Sequence, residues 1–280
     1  MGDDTSSGYA PAAHYDRVHS AWRLIMGEEF HYGYFASPQT PLDEATAALT
    51  GQMLERAGTA RGARILDVGC GTGRQSCDLA SAYDAQVLGI TTSSQGVEAA
   101  TELAATRGVA GARFEQRDGT ANGLPDEQFD VAWVLESSHL MRDKHALLGE
   151  CVRVLAPGGR IVLCDIIRRR EIPFLEVRQR RADFATLRAA FGDAHMEPLA
   201  SYTSTLEDLG MKITDSTDIS DETLPTFAAW RANVTAHESA LVGLLGRQGV
   251  DDFVRSTEVL EAFWQDHTLG YGILTAAKPS

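Results

Sequence analysis

The chain lacks several features that would assign it to a class at once. No apolar run reaches the roughly 18 residues of a membrane-spanning helix, and residues 1–10 are polar and acidic where an export signal would be basic and then apolar. A cytoplasmic protein without a membrane partner is expected. Cysteine is scarce: Cys70, Cys77, Cys151 and Cys164 include no C-x-x-C pair, which argues against a zinc ribbon or a disulfide framework and fits reduced thiols. Positive charge is in deficit, with 25 Lys and Arg against 39 Asp and Glu and a net charge of −14. A sequence-independent grip on phosphate backbones has no electrostatic basis, so nucleic acid is not an expected partner. The densest basic run, Arg168-Arg169-Arg170 followed by Arg178, Arg180 and Arg181, reads as a solvated helix flank. Repeats and low-complexity linkers are also missing, and 280 residues with 44% hydrophobic content can bury one core. A single domain is expected, and a homo-oligomer is left open.

What the chain does have is an alternation of two periods. Strand patterns at residues 63–68, 86–91, 112–117, 129–135 and 160–166 take turns with helical patterns at 74–83, 94–107 and 144–155. Asp143 is placed to cap the third helix, and Pro157-Gly158-Gly159 reads as a stop after it. This rhythm predicts βαβ units, hence an α/β, doubly wound, mostly parallel sheet. Residues 1–11 read as a frayed end, and from there to about residue 56 the pattern is helical, interrupted by the aromatic turn His31-Tyr32-Gly33-Tyr34-Phe35. Further on, 168–202 reads as helical, 212–218 as a strand, 227–265 as mostly helical and 271–277 as a last strand.

The run Ile65-Leu66-Asp67-Val68-Gly69-Cys70-Gly71-Thr72-Gly73 leaves a buried strand and enters a helix with the spacing G-x-G-x-G. Glycines there let backbone approach a ligand closely, although a plain tight connection has the same composition. The dinucleotide fingerprint would need a third glycine where Arg74 stands, and the phosphate loop ending in G-K-[ST] is absent, which argues against a nicotinamide dehydrogenase. Polar or glycine residues close four successive strands: Gly69, then Thr91 and Thr92, then Asp118 and Gly119, then Glu136 and Ser137. In open α/β sheets, ligands sit outside those strand ends, but loops are wet in any case.

Taken together, Leu66 to Gly73, Leu124-Pro125 with Phe129-Asp130, and Arg153-Val154-Leu155-Ala156-Pro157-Gly158-Gly159 resemble the class I S-adenosylmethionine-dependent methyltransferases. The aromatic turn and Gly89-Ile90-Thr91-Thr92-Ser93-Ser94-Gln95 are similar to the natural-product tailoring group that includes the rebeccamycin sugar O-methyltransferase and the rifamycin and macrolide enzymes. The resemblance implies a Rossmann-like sheet of seven strands with the last antiparallel, a helical cap and N-terminal helices. Within one domain of 280 residues, it assigns 1–60 to a cover over the cofactor, 61–167 to the cofactor-binding core, and 168–205 with 219–268 to a substrate cap. The implied cofactor is S-adenosylmethionine, leaving as S-adenosylhomocysteine.

By the same resemblance Gly69, Gly71 and Gly73 run under the methionine part, Asp67 holds its ammonium, and Asp118 accepts from the adenine amino group beside Gly119. Thr91 or Thr92 stands where the family commonly has an acidic ribose ligand, so the ribose contact is assigned to Gln95, an amide that both donates and accepts. Tyr15, His31, Tyr32 and Glu136 complete the cofactor set, with Tyr34 and Phe35 equally readable as a plug of the sheet edge. His139, just past the fourth strand, is the candidate general base, and Asp165 on the next strand can orient it. Each has a plainer alternative: a loop histidine capping the following helix, and a carboxylate holding a backbone amide. Many relatives carry a second histidine where Leu140 stands. The other histidines show no metal-ligand spacing, so metal independence is expected. The leading function is O-methylation of a small-molecule acceptor; the alternatives are C-methylation of a prenyl or aromatic carbon, and a non-catalytic or cyclase-like cofactor-binding protein.

Overall fold

Seven strands of five to fourteen residues, most of them apolar, pair here into one sheet because amphipathic helices cover both of its faces. In the computed structural model, which describes residues 20–280, the strands are β1 (Arg64–Val68), β2 (Gln86–Thr91), β3 (Ala112–Gln116), β4 (Phe129–Leu135), β5 (Leu155–Arg168), β6 (Lys212–Asp218) and β7 (Leu269–Ala277). Their order is β3-β2-β1-β4-β5-β7-β6. β1 to β5 pair in parallel, and β7 lies antiparallel between β5 and β6. Side chains alternate between the faces: Ile65, Val87, Trp133 and Val162 pack toward α1 (Leu42–Ala57) and α2 (Arg74–Tyr83). Leu66, Leu88, Ala132 and Leu163 pack toward α4 (Lys144–Val154) and α7 (Leu199–Asp208) on the other side, while α3 (Ser94–Thr106) lies against β2 and β3. Burial on both faces is why the central strands read as continuous apolar runs. Two predicted or local caps set helix starts: Asp143 accepts from Ala146 N over 2.8 Å, and Ser93 accepts from Gly96 N over 3.0 Å.

Three expectations differ from the structure. Pro157-Gly158-Gly159 is not a stop but lies inside β5, bulged outward: Phe129 faces Leu155, and the next aligned pair is Val131 with Arg160. The bulged glycines keep their hydrogen bonds through the chain end, where Gly158 N donates to Lys278 O and Lys278 N to Gly159 O. Residues 168–202 are not one helix. β5 extends to Arg168, then α5 (Phe174–Gln179) and α6 (Arg181–Phe191) follow, and Gly192, at φ +85, breaks the run before a loop leads to α7. The Arg168–Arg170 run is therefore not a helix flank but a set of ties: Arg169 pairs with Asp218 and Arg170 with Glu176. Finally, the N-terminal segment is helical at 20–26 and in α1 but irregular from 27 to 41.

The cap is closed by α8 (Ser220–Thr223), α9 (Pro225–Ala236) and α10 (Glu238–Gln265), which kinks at Gly246. Phe227, Trp230, Phe253, Phe263 and Trp264 from these helices are buried, as their helical spacing predicts. All four cysteines are buried and unpaired. Among the described residues, no helix is long and apolar enough to cross a membrane.

Candidate active site

Strand order reverses between β1 and β4, and that reversal opens a cleft at the carboxyl ends of the strands. Ser137 Oγ donates to Val68 O over 2.6 Å and clips the two strand ends together at its floor. Above them lies a cavity of about 1520 Å³. A single small-molecule pocket is about 300–1,000 Å³, so this one has room for a cofactor and an acceptor side by side.

At the β1 end, Gly69, Gly71 and Gly73 take φ values of +84°, +54° and +77°. A Cβ on Gly69 would stand 2.3 Å from that of Ser137, so the turn is as tight as the fold permits. A Cβ on Gly71 would meet nothing within 4 Å, so the backbone there faces open cavity. Gly73 caps α2 and is not part of the wall. Asp67 is buried in the wall, its Oδ2 accepting from Ser76 Oγ over 2.5 Å. Burial pushes its carboxyl up to about 6, the state of a carboxylate that lacks a cation. Asp118 spends Oδ1 on the backbone N and hydroxyl of Thr120, leaving its other oxygen available beside Gly119. Thr91 and Thr92 line the cavity, but Gln95 is exposed on the first turn of α3 and does not. An unfilled backbone cradle, a buried carboxylate wanting a cation, an acceptor oxygen and paired hydroxyls fit a nucleoside carrying an ammonium arm. S-adenosylmethionine has that chemistry.

The segment before α1 is fastened over this end. His31 donates through Nδ1 to Tyr32 O (2.8 Å) and faces Glu29 through Nε2 (2.6 Å), so acceptors stand on both sides of the ring and favour its protonated form. Burial opposes that charge, but Glu29 and Glu136 outweigh it, and the pKa of His31 rises. Glu136, at φ +47°, accepts from Tyr32 N (2.8 Å) and from Tyr271 hydroxyl (2.5 Å), and its pKa is raised by burial. The Tyr32 ring stacks on Trp264 at 5.5 Å between centroids, amid Phe227, Trp230 and Tyr271. Tyr15 lies outside the described residues.

At the other end, His139 sits in the 3-10 turn Ser138–Leu140 after β4, with Asp165 fully buried on β5. His139 Nδ1 donates to Asp165 Oδ1 over 2.6 Å, and His139 N to Oδ2 over 3.0 Å. Nε2 has no partner among the described residues, and His139 lines the cavity. Burial would lower the imidazolium pKa; the charge and hydrogen bond of Asp165 outweigh it, and the pKa rises above the ordinary histidine value. Burial would raise Asp165, yet His139 and the other donors hold it below the ordinary carboxylate range. The cavity beside His139 is walled by Ile166, Phe184, Leu187 and Leu260, and by the loop from Gly192 to Glu197, whose His195 N donates to His139 O over 2.7 Å. Leu140 is exposed at the rim. Among the described residues, no group of three His, Cys, Asp or Glu converges as a metal site.

The structure thus brings Asp67, Gly69, Gly71, Thr91, Asp118, Gly119, Glu136, His139, His31 and Tyr32 to one cavity, with Asp165 directly behind His139. Sequence reading did not find Ser138, Tyr202, Lys144 or Glu29. Their partners lie in other elements or in irregular backbone, so no local spacing marks them.

Comparison with known proteins gives the family. A family model described as methyltransferase domain matches residues 66–163. The chain is 31% identical over 269 residues to Methyltransferase GfsG of Streptomyces halstedii, covering 95% of this chain and 93% of that protein. It is 32% identical over 267 residues to 27-O-demethylrifamycin SV methyltransferase of Amycolatopsis mediterranei, covering 95% of each. Among solved structures, the [4+2]-cyclase SpnF superposes with a TM-score of 0.77 at 28% identity, covering 95% of this chain and 94% of that one. With the cleft, its donor set and these relatives in agreement, the chain belongs to the class I S-adenosylmethionine-dependent methyltransferases.

Proposed function

We propose that the protein transfers a methyl group from S-adenosylmethionine to a hydroxyl oxygen of a small-molecule natural product. The observation that carries this reading is the buried His139–Asp165 pair with Nε2 left to the cavity. Displacement at a sulfonium methyl needs alignment and exclusion of water, and a hydroxyl acceptor adds one further need, removal of its proton. Bound in the cleft, S-adenosylmethionine supplies an electrophilic methyl carbon and leaves as S-adenosylhomocysteine. His139 Nε2 accepts the hydroxyl proton while Nδ1 keeps its bond to Asp165, whose charge stabilises the imidazolium so formed. Nothing in this scheme calls for a metal.

In the same reading, Asp67 holds the ammonium arm and Asp118 the adenine amino group. The ribose falls to Thr91 and Thr92, which line the cavity where Gln95 does not. Tyr32, His31 and Glu136 keep residues 20–60 over the cofactor; residues 61–167 bind it, and 168–197 with 219–268 cover the acceptor, whereas α7 packs on the other face of the sheet. Oxygen as the methylated atom takes support from the relative named 27-O-demethylrifamycin SV methyltransferase.

The likeness to a [4+2] cyclase favours a second reading, in which the cleft binds the cofactor without methyl transfer. Incubation with S-adenosylmethionine carrying a deuterated methyl, against a panel of hydroxylated polyketide and glycosylated aromatic acceptors, separates the two. A labelled O-methyl product with matching S-adenosylhomocysteine is expected. Saturable cofactor binding with no labelled product on any acceptor would transfer the case to the cyclase-like reading, and label on carbon would replace O- by C-methylation.

A further inference from the structure

Behind the His139–Asp165 pair stands a second layer of hydroxyls. Ser138 Oγ donates to Asp165 Oδ2 over 2.6 Å, and Tyr202 hydroxyl lies 3.0 Å from Ser138 Oγ. A serine hydroxyl has one proton, and here the carboxylate takes it; Tyr202 must therefore be the donor to Ser138. The direction of the chain is fixed: Tyr202 to Ser138 to Asp165. All three side chains are buried, and Tyr202 comes from α7, on the far side of the sheet from the acceptor cap.

The carboxylate is consequently shared. Oδ1 serves His139 Nδ1 and the backbone N of Ile166, and Oδ2 serves Ser138 Oγ and the backbone N of His139. Each donor takes up part of the negative charge that would otherwise act on the imidazole, and a hydroxyl that is itself hydrogen-bonded by another donates more strongly. Lys144 braces the same turn from α4, its Nζ donating to Ser138 O (2.6 Å) and Met141 O (2.5 Å).

We propose that Ser138 and Tyr202 are positioning residues, a directed hydroxyl chain that orients Asp165 and limits the negative charge it presents to His139. A base locked as an imidazolium by a bare buried carboxylate could not accept a proton near neutrality. The chain keeps the orienting contact while weakening that lock. Other ionisable groups facing the pair are Glu136 at the end of β4, Lys144 on α4, Tyr32 before α1, Tyr271 on β7 and Cys164 on β5. Glu136 pulls the imidazolium pKa up; Lys144 pushes it down, in the same direction as the hydroxyls, but its Nζ is bonded to the carbonyls of Ser138 and Met141 and not to the carboxylate.

The inference rests on His139 as the base, and its test reads the imidazole directly, without an acceptor. Histidine-resolved NMR titrations of the full chain saturated with S-adenosylhomocysteine, assigned with His139→Gln, give the protonation midpoint of His139. Ser138→Ala is expected to move that midpoint up by about half a pH unit or more. Tyr202→Phe, which keeps the ring in place, is expected to move it in the same direction by less. In a Ser138→Ala background, Tyr202→Phe should then have no further effect, which a merely structural role for Tyr202 would not produce. Should Ser138→Ala fail to fold, Tyr202→Phe alone decides: an unchanged or lowered midpoint overturns the proposal. If His139→Ala keeps full turnover while the shifts are seen, the base assignment fails and the hydroxyl chain stands.

Discussion

The β1 end of the cavity is built around a backbone turn, whereas the His139 end is made of side chains assembled from distant elements; in the proposed reading the first takes the cofactor and the second the acceptor. The first is laid down by Gly69 and Gly71, the carboxylates of Asp67 and Asp118 and the open strand edge, all within residues 67 to 119, under the segment that carries His31 and Tyr32. The second needs His139 from a turn after β4, Asp165 from β5, Ser138 with Tyr202 from α7, and a loop after α6 that grips His139 by its carbonyl. A backbone cradle tolerates little change and recognises one shape. A side-chain assembly can be retuned one residue at a time, which suits the end of the cavity that meets the variable acceptor.

The sharpest way to test this division is at its two charged centres. His139→Ala should lower turnover by about 10²- to 10⁴-fold, the range of a general base, with the dissociation constant for S-adenosylhomocysteine unchanged by calorimetry. Loss of cofactor affinity in that variant would mean that the two ends are not separate.

Asp67→Asn should do the opposite, weakening cofactor binding by about 10- to 100-fold through loss of a charge-assisted hydrogen bond. It should also raise the melting temperature of the free protein at neutral pH. The sign follows from the carboxyl being lifted from 3.8 to about 6 by burial: the folded state holds a proton that the unfolded chain has released, so stability falls as pH rises through that window. The ionised Asp67 then costs the free fold about 3 kcal/mol at neutral pH, which the asparagine removes. A variant that is both less stable and fully able to bind would sink this account of the β1 end.

The pH dependence comes next in size. The His139 pKa is raised above the ordinary 6.5, and only the neutral ring accepts a proton, so kcat/KM should fall about tenfold per pH unit below that pKa and level off above it. His139→Ala should flatten this limb. The smallest effect is expected at Gln95, exposed and outside the cavity wall: Gln95→Ala should change cofactor affinity less than about twofold. A larger loss would return the ribose to Gln95.

The same contrast explains what could be read from the amino acids alone. The glycine turn, the polar strand ends and the Asp143 cap are local signals, and each lies where its spacing predicts. Gln95 did not reach the cavity because its assignment followed a family pattern, while the helix start capped by Ser93 leaves it facing solvent. The Pro157-Gly158-Gly159 segment looked like a break because its hydrogen-bond partner, Lys278, is more than a hundred residues away in sequence. The missing break in 168–202 had a local sign after all, in Gly192 and Pro198, but the amphipathic pattern on either side of it carried more weight. Ser138 and Tyr202 are 64 residues apart and leave no periodic trace, so only the folded chain brings them together.

The attachment of the 192–197 loop to the carbonyl of His139 uses the amide of residue 195 and no side chain. Substitutions along this rim, proline at 195 apart, can therefore alter its shape and charge without cutting that tether. On the proposed reading, acceptor preference can be altered at this rim while the imidazole of His139 keeps its place.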